Sequence, residues 1–381
     1  MWSTLVKVLL LGGIALTLAS VQIAQTQTGV IVRRPGVPLR GPVVIPVLPP
    51  KPNLSPHILA PFTGTILLRR DSGIFILRSG DQFGRRVLQD VYAASLAPDG
   101  RQIAYFKSMQ IHLLALAADG SSESDTVLED LPGARVEDMG WSPDSALVAY
   151  DVHAQENYGT HVVSVGSRAI RRAGGGAGAI SFSADSKYLL GTAPQQGLIR
   201  YRLSDGTSEL VYRDPLVPNW AAKFSPAGVI GVLTAVPSER PAWNDDEPDC
   251  TGAQLQLEIV FPGGKTWTVP FPKGFDDVYD FDFSPDGRQV AVGFGTVGCD
   301  YPGDSGAVYL VSLPDGNSRR LTPEKAIALK GHFSPDGKQI AYTDFAVAGS
   351  PSVFIVDVAT GKSAPLIAPD EFGHDEVLDW R

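Results

Sequence analysis

The sequence contains little charge, few histidines and few cysteines. Of its 381 residues, 19% are charged, six are His and two are Cys, whereas Gly and Pro number 40 and 30. A coiled coil or long-helix protein would be poor in Gly and Pro, so the composition excludes that class. The apolar fraction of 44% and the modest net charge of -9 exclude wholesale disorder. A chain of this length can bury a large core without disulfide staples.

No hydrophobic run after Leu18 is long enough to cross a bilayer. The N-terminus has one cation, Lys7, then an apolar run over 8–18 and a small, polar stretch that ends at Ala24. This order is typical of a secretory signal peptide, and its apolar part falls short of the roughly 20 residues that span a membrane. We expect a signal peptide over 1–24, a secreted or periplasmic location and no transmembrane span after its removal. An uncleaved anchor is the alternative.

Acidic residues are missing from the first part of the chain. Five of the 32 cations and none of the 41 acids lie in residues 1–60, which leaves 27 cations against 41 acids in the remainder. Clustered Lys and Arg are needed to neutralise phosphates, so this balance argues against a nucleic-acid partner. Residues 25–60 also hold eight prolines among Val, Ile and Leu. They predict a basic, extended tether with polyproline II character, unless part of it packs along the domain surface.

One hexapeptide recurs six times after the tether. Its later positions follow the pattern Trp/Phe-Ser-Pro-Asp-Gly, with variations, and its fourth residues are spaced by 45, 41, 42, 59 and 50. Proline presets φ, aspartate can bond its own backbone and glycine accepts a positive φ, so the pattern predicts a hairpin turn. The copies are Ser95–Gly100, Gly140–Ser145, Ser181–Ser186, Lys223–Gly228, Asp282–Gly287 and His332–Gly337.

Strand patterns surround each hexapeptide. Alternating apolar strands follow most copies, as in Gln102–Phe106, and a second hairpin comes later in the repeat, as in Val308–Gly316. Four strands per repeat at a period in the forties are typical of a β-propeller. One aromatic residue per repeat is then expected in the core between blades: Trp141, Phe182, Phe224, Phe283, Phe333 and Trp380.

The two ends of the propeller region complement each other. Two strand patterns over 64–70 and 73–78 have no hexapeptide before them, and the chain finishes with Asp375–Arg381, in which Trp380 takes the place of Trp141. Joining this last strand to the first ones completes a blade and removes exposed edges. We predict an all-β fold: a seven-bladed propeller of four-stranded antiparallel blades over 61–381, closed by the C-terminal strand.

These repeats resemble the TolB-like propellers, which are built on a Trp/Phe-Ser-Pro-Asp-Gly core. The resemblance covers roughly 61–381 and is specific for fold. TolB itself is periplasmic and carries a small α/β domain before six blades, whereas this chain has a Pro-rich tether and seven expected blades, so the resemblance implies a family member other than TolB. Relatives with this propeller include gating domains of prolyl oligopeptidases, oligogalacturonate lyases and extracytoplasmic binding modules, and the fold alone leaves the function open.

The resemblance to the lyases implies a metal held by several histidines. Only His153 and His374 are expected to share the upper face of this propeller, which is too few for a His-rich site. No other catalytic constellation stands out, so the chain reads as non-catalytic without excluding an enzyme. No cofactor is expected, although acidic loops leave calcium conceivable.

Two long loops carry the remaining candidate residues. They run over 237–252 and 296–306 and belong to adjacent blades, which brings Cys250 and Cys299 together and predicts a disulfide in an oxidising compartment. Two free thiols are the alternative. The predicted binding residues are Asp245, Asp246, Glu247, Asp249, Asp300, Tyr301 and Asp304, with His153 and His374.

The sequence favours a secreted or periplasmic, non-catalytic scaffold of the cell envelope that binds a protein or a glycan. Rigid circular scaffolds present loops well, which supports a binding role. The alternative is a carbohydrate-active lyase or hydrolase that uses acidic residues of the long loops. A pair of carboxylates in the central pocket, one with a strongly raised pKa, would favour the enzyme.

Overall fold

The computed structural model describes the chain as two compact units, 1–54 and 55–381. In the first unit it describes the strands alone; in the second it describes all residues except 92, 155–157, 174–179, 194–195, 215–221, 237–253, 297–304, 314, 347–350 and 369–374. Every described element is a β-strand. None of the described residues forms a helix of the length and apolarity that a membrane span requires.

The first unit contains a small antiparallel sheet in the order β1-β2-β3. Its strands are β1 (Gln22–Thr26), β2 (Gly29–Arg33) and β3 (Val44–Ile45). The β-branched residues Val30, Ile31 and Val32 of β2 favour a paired strand. In this unit β1 pairs with β2 and β2 with β3. The signal peptide over 1–24 and the tether over 25–60 stay predictions.

Seven antiparallel sheets make up the second unit, and we number them as blades. Blade 1 has β7 (Ala93–Leu96), β8 (Gln102–Lys107), β9 (Gln110–Leu116) and β10 (Ser122–Asp130). Blade 2 has β11 (Arg135–Trp141), β12 (Leu147–His153), β13 (Gly159–Ser164) and β14 (Ile170–Ala173). Blade 3 has β15 (Tyr188–Ala193), β16 (Gly197–Arg202) and β17 (Ser208–Arg213). Blade 4 has β18 (Ala222–Phe224), β19 (Ile230–Ala235), β20 (Leu255–Val260) and β21 (Thr266–Thr268).

The remaining blades complete the ring. Blade 5 has β22 (Asp277–Phe283), β23 (Gln289–Gly295), β24 (Gly306–Ser312) and β25 (Ser318–Arg320). Blade 6 has β26 (Gly331–Phe333), β27 (Gln339–Asp344), β28 (Ser352–Asp357) and β29 (Ser363–Pro365). Blade 7 joins β30 (Asp375–Trp380) to β4 (Thr65–Arg70), β5 (Gly73–Arg78) and β6 (Arg85–Gln89).

This architecture confirms the predicted seven-bladed, all-β propeller and its closure. The C-terminal strand β30 pairs with β4 in the order β30-β4-β5-β6, and β30 also contacts β7 of blade 1. In the described part of blade 3, which lacks residues 174–179, three strands are present and a single bridge between Phe182 and Leu189 stands at the position of the first strand. The other six sheets have four strands each.

One apolar cluster fills each of the seven interfaces between blades. The hexapeptide aromatic residues enter these clusters as predicted, and Leu96 takes their place in blade 1. Indole nitrogens also tie the ring, since Trp141 Nε1 donates to the carbonyl oxygen of Ser95 at 3.0 Å and Trp380 Nε1 donates to that of Thr63 at 2.6 Å. The core therefore lies between the blades.

The compact second unit begins at Ser55, before the boundary predicted at residue 61. A short segment bridges blades 6 and 7: Ile58 N donates to Gln82 O at 2.9 Å, and Leu59 N donates to Leu366 O at 2.8 Å. Ile58 also packs against the apolar cluster between these blades. Ile58 and Leu59 thus contact blades 6 and 7.

Candidate functional site

A cavity of about 850 Å³ lies inside the ring of blades. Innermost strands supply its wall, and the hexapeptide prolines line its rim in five of the blades, as Pro143 does in blade 2. Many of the side chains that line it are charged: Arg69, Asp138, Lys223, Asp282, Lys330, His332, Glu376, Asp379 and Arg381. This central channel is the candidate functional site.

Strand alternation places the first residue of each hexapeptide in the channel. Successive side chains of a strand point to opposite faces, so the aromatic second residue enters the core and the first residue faces away from it. Lys223, Asp282 and His332 occupy this first position in blades 4, 5 and 6 and line the cavity. Asp379 holds the equivalent position before Trp380. The same position thus gives the channel a neutral, a basic or an acidic residue, depending on the blade.

Three channel side chains tie neighbouring blades together. Ser181 Oγ accepts a hydrogen bond from Phe224 N at 2.8 Å, and Asp282 Oδ2 accepts one from Phe333 N at 2.9 Å. Asp379 Oδ2 accepts a hydrogen bond from the backbone N of Leu96 in blade 1 at 3.1 Å. Backbone donors that are buried need such partners. These groups therefore have a structural role in the ring.

A lysine and an aspartate form an ion pair on the channel wall. Lys223 Nζ lies 2.9 Å from Asp280 Oδ1. Burial acts to lower the pKa of Lys223, but the carboxylates of Asp280 and Asp282 outweigh it and raise that pKa. Burial acts to raise the pKa of Asp280, but Lys223 and Lys330 outweigh it and lower that pKa. Both groups stay charged at neutral pH, and the pKa of Asp282 is raised chiefly by burial.

Asp138 is a channel acid with which no cation forms an ion pair among the described residues. Its Oδ1 accepts a hydrogen bond from its neighbour Met139 N at 2.8 Å. Enclosure by the ring, together with repulsion from Asp151, raises the pKa of Asp138 to about 6. The carboxyl is nevertheless open to the channel. It can accept a cation or hold a proton close to neutral pH.

Blades 6 and 7 contribute a second charged group. Glu376 is bonded by Arg69 and lies 3.4 Å from Lys330 Nζ. Burial acts to raise the pKa of Glu376, but Lys330 and Arg69 outweigh it and lower that pKa. A smaller cavity of about 200 Å³ adjoins this group and is also lined by His332 and Tyr342. The channel wall therefore offers charges of both signs within one enclosure.

Only one of the predicted binding residues lies within the described structure. His153 ends β12, is half-buried, and meets the ring of Tyr158 edge-on at 5.7 Å between centroids. It does not line the channel cavity. The other residues lie outside the described residues and stay predictions: Asp245, Asp246, Glu247, Asp249, Cys250, Cys299, Asp300, Tyr301, Asp304 and His374.

Sequence reasoning missed the channel residues, although a signal for them was present. The first hexapeptide position varies between Ser, Gly, Lys, Asp and His while the later positions repeat. A position that varies within a strict repeat and faces a shared axis carries recognition more readily than packing. Among the described residues, no group of three or more His, Cys, Asp or Glu is arranged to hold a metal ion.

Comparison with known proteins gives short or distant matches. No protein-family model matches the chain. The protein TolB homolog of Chlorobium luteolum (strain DSM 273 / BCRC 81028 / 2530) is 46% identical over 57 residues, which is 15% of this chain and 13% of that protein. The match thus spans far less than two thirds of this relative. The crystal structure of TolB from Acinetobacter baumannii aligns with a TM-score of 0.48 and 15% identity over 93% of this chain and 80% of that chain.

The seven blades around a charged channel define a β-propeller scaffold. The hexapeptide repeat and the matched segment of the TolB homolog make the chain similar to the TolB-like propellers. It is not TolB itself, since it has seven blades in place of six and matches its relative over a small segment.

Proposed function

We propose that this propeller is a non-catalytic scaffold of the cell envelope, secreted or periplasmic, that binds a protein or a glycan. The observation that carries the proposal is the channel, which presents charges of both signs on rigid strands. Pre-positioned side chains reduce the ordering cost of binding. The signal-like N-terminus and the resemblance to TolB-like propellers support the location. The long loops over 237–252 and 296–306 extend the expected binding surface.

Affinity capture from the host's envelope fraction tests this proposal. The bait is the full chain after removal of its signal, and a channel variant carries Lys223→Gln and His332→Gln. A loop variant carries Asn at Asp245, Asp246, Asp249, Asp300 and Asp304. A partner that the full chain retains and one variant loses identifies the binding face. Equal capture of the same partner by the full chain and both variants would overturn the assignment of both faces.

The predicted disulfide belongs to the same proposal. We propose that Cys250 and Cys299 join the two long loops. Closing a loop of this length stabilises a protein by about 4 kcal/mol in the chain-entropy model. Titration of the denatured, unreduced protein with a thiol reagent is expected to find no free thiol; two reactive groups would exclude the bond.

A carbohydrate-active enzyme is the second candidate, and one observation favours it. Asp138 lines the channel and Asp280 pairs with the channel residue Lys223; the pKa of Asp138 is raised to about 6, whereas that of Asp280 is lowered. Two carboxyls with separated pKa values suit a proton donor and a base. These acids differ from the loop residues that the sequence suggested. Turnover of polyuronates or other envelope glycans that is lost in Asp138→Asn would support the enzyme and exclude a purely binding role.

A further inference from the structure

Another cavity lies outside the channel, between blades 2 and 3. It has a volume of about 390 Å³. Leu147, Val162 and Leu203 supply apolar surface to it, and the serine hydroxyls of the adjoining turns surround that surface. We call it the blade 2–3 groove. Its residues come from β12, β13 and β14 on one side and from the first hairpin and the end of β16 on the other.

The walls of the groove are basic. Arg171 of blade 2 and Lys187 and Arg202 of blade 3 line it from opposite sides, and all three are exposed. Arg171 Nη1 donates to the carbonyl oxygen of Leu203 at 2.6 Å, and no carboxylate pairs with Arg171 among the described residues. Its guanidinium thus crosses the floor of the groove with an unneutralised charge.

The carboxylate partners of the other two cations are exposed, and Arg202 also lies over the ring of Tyr188 at 5.8 Å. Lys187 Nζ lies 3.3 Å from Asp185, and Arg202 lies 3.1 Å from Asp205. The lysine side chain is 71% exposed. Exposed ion pairs contribute about 0–1 kcal/mol, so both cations can exchange these partners for a ligand at little cost.

The groove is basic, whereas the propeller region as a whole has a negative net charge, with 27 cations and 41 acids. A local patch of opposite sign directs an anionic partner to one place on such a surface. The apolar floor favours a ligand that also carries a hydrocarbon group. An extended peptide satisfies both demands, since its neighbouring side chains point in alternate directions.

We propose that the blade 2–3 groove binds an extended acidic segment of a partner protein. An aliphatic side chain of that segment packs on Leu147, Val162 and Leu203, and its flanking carboxylates pair with Arg171, Lys187 and Arg202. This inference rests on the proposed binding function but uses a surface separate from the channel.

A direct binding measurement with the full chain tests the groove. The probe is a fluorescein-labelled hexapeptide in which one Leu is flanked by Glu and Asp. One control peptide replaces the acids with Gln and Asn, and another replaces Leu with Ser. Fluorescence anisotropy is expected to show about tenfold weaker binding for each control and a marked loss for the acidic peptide at high salt.

Two variants locate the site. Lys187→Glu and Arg171→Gln are each expected to weaken binding of the acidic peptide about tenfold or more. Arg86→Glu is the matched control, because Arg86 is also an exposed cation on the outer strand of a blade, β6 of blade 7. The Arg86→Glu variant should bind the acidic peptide with the same affinity as the unchanged protein. Lys187 is largely exposed, so the fold should tolerate Lys187→Glu, which a thermal melt verifies.

Other outcomes would overturn the proposal. Equal affinity of the unchanged protein and Lys187→Glu would place the peptide elsewhere. Binding of phosphatidylglycerol vesicles without binding of the peptide would assign the groove to a lipid surface. Dimerisation in sedimentation velocity that Lys187→Glu abolishes, without peptide binding, would assign it to a second copy. A channel variant that loses the captured envelope partner but keeps the peptide would leave the groove intact, so the two proposals can fail separately.

Discussion

At the scale of residues, a serine holds the turn together in five of the six hexapeptides. In blade 5, Ser284 Oγ donates to Asp286 Oδ1 at 2.6 Å and accepts from Gln289 N at 2.9 Å. The same carboxylate oxygen accepts from Arg288 N at 3.0 Å. The hydrogen bond from Ser284 is the main reason that the pKa of Asp286 is lowered. Blades 2, 3 and 6 repeat this Ser–Asp pair at 2.6–2.7 Å.

The lowered pKa gives the turn a pH dependence. An acid whose pKa is lower in the folded state stabilises the fold above its unfolded pKa of about 3.9, and this contribution is lost as the pH falls through the folded pKa. We expect Asp286→Ala to lower the free energy of unfolding by up to about 1 kcal/mol at pH 7 and by less in acid. Urea denaturation at both pH values measures this. The control is Asp315→Ala, which changes an exposed acid in a later turn of blade 5 and should cost less than Asp286→Ala at pH 7.

The pKa of Asp138 is shifted in the opposite direction from that of Asp286, so its effect on stability has the opposite pH dependence. Its pKa of about 6 lies above the unfolded value of about 3.9, so the fold binds a proton there and loses stability as the pH rises between these values. Because channel water screens the carboxyl, we expect Asp138→Asn to gain about 1 kcal/mol at pH 8 and nothing near pH 3.5. Thermal unfolding at both pH values tests this. If Asp138→Asn and the natural protein are equally stable at pH 8, the pKa of Asp138 is not raised.

At the scale of elements, a β-bulge in β10 joins blade 1 to blade 2. The register of β10 against β9 shifts between Val127 and Glu129, which turns Glu129 towards blade 2. There its carboxylate accepts a hydrogen bond from the Tyr150 hydroxyl and lies 3.0 Å from His161 Nδ1. Burial and the Glu129 carboxylate hold the pKa of Tyr150 above its usual range. Such bulges re-aim a side chain at the cost of one ladder position.

Removing this carboxylate should loosen the interface between blades 1 and 2. Glu129→Ala leaves the hydroxyl of Tyr150 and the ring of His161 without their acceptor, and His161 is 2% exposed. We expect a loss of about 2 kcal/mol in unfolding free energy, measured by urea denaturation. Glu123→Ala on the same strand is the control, since Glu123 is exposed. Equal effects of the two changes would show that the bulge has no such role.

At the scale of the whole molecule, one buried ion pair fastens the two ends of the propeller. Arg70 Nε and Nη2 donate to the two carboxylate oxygens of Asp375 at 2.6 and 2.8 Å. Asp375 is fully buried and Arg70 is 5% exposed. Residues from the start and the end of the ring thus meet inside blade 7. Bidentate pairs of this kind give strong and geometrically specific contacts.

Breaking the pair should destabilise the closed ring. Asp375→Ala leaves the guanidinium of Arg70 buried without its carboxylate, which costs about 3–5 kcal/mol. We expect a lower melting temperature in calorimetry. The control is Glu209→Ala, which removes the acid of the exposed pair with Arg200 and should cost about 0–1 kcal/mol. Equal melting temperatures for the two variants would refute the role of Asp375 in closure.

Much of the fold could be predicted from local patterns. The turn chemistry of Ser142–Ser145 and its repeats depends on residues close in sequence, so the period and the hairpins were visible. The pairing of β30 with β4 was predictable because Trp380 repeats the position of Trp141. The bridge at Phe182 that replaces a strand in blade 3 was not predictable, because the hexapeptide of that blade resembles the others.

The sequence by itself determined the repeated turn, the aromatic core position and the number of blades, since each depends on contacts between residues near in the chain or on a strict period. Tertiary structure alone decided which charges meet. Lys223 reaches Asp280 from the next blade, and Arg171 reaches Leu203 across the blade 2–3 groove. Electrostatic environments depend on distance in space and on enclosure from water. The ring sets both, and residues far apart in the chain supply them.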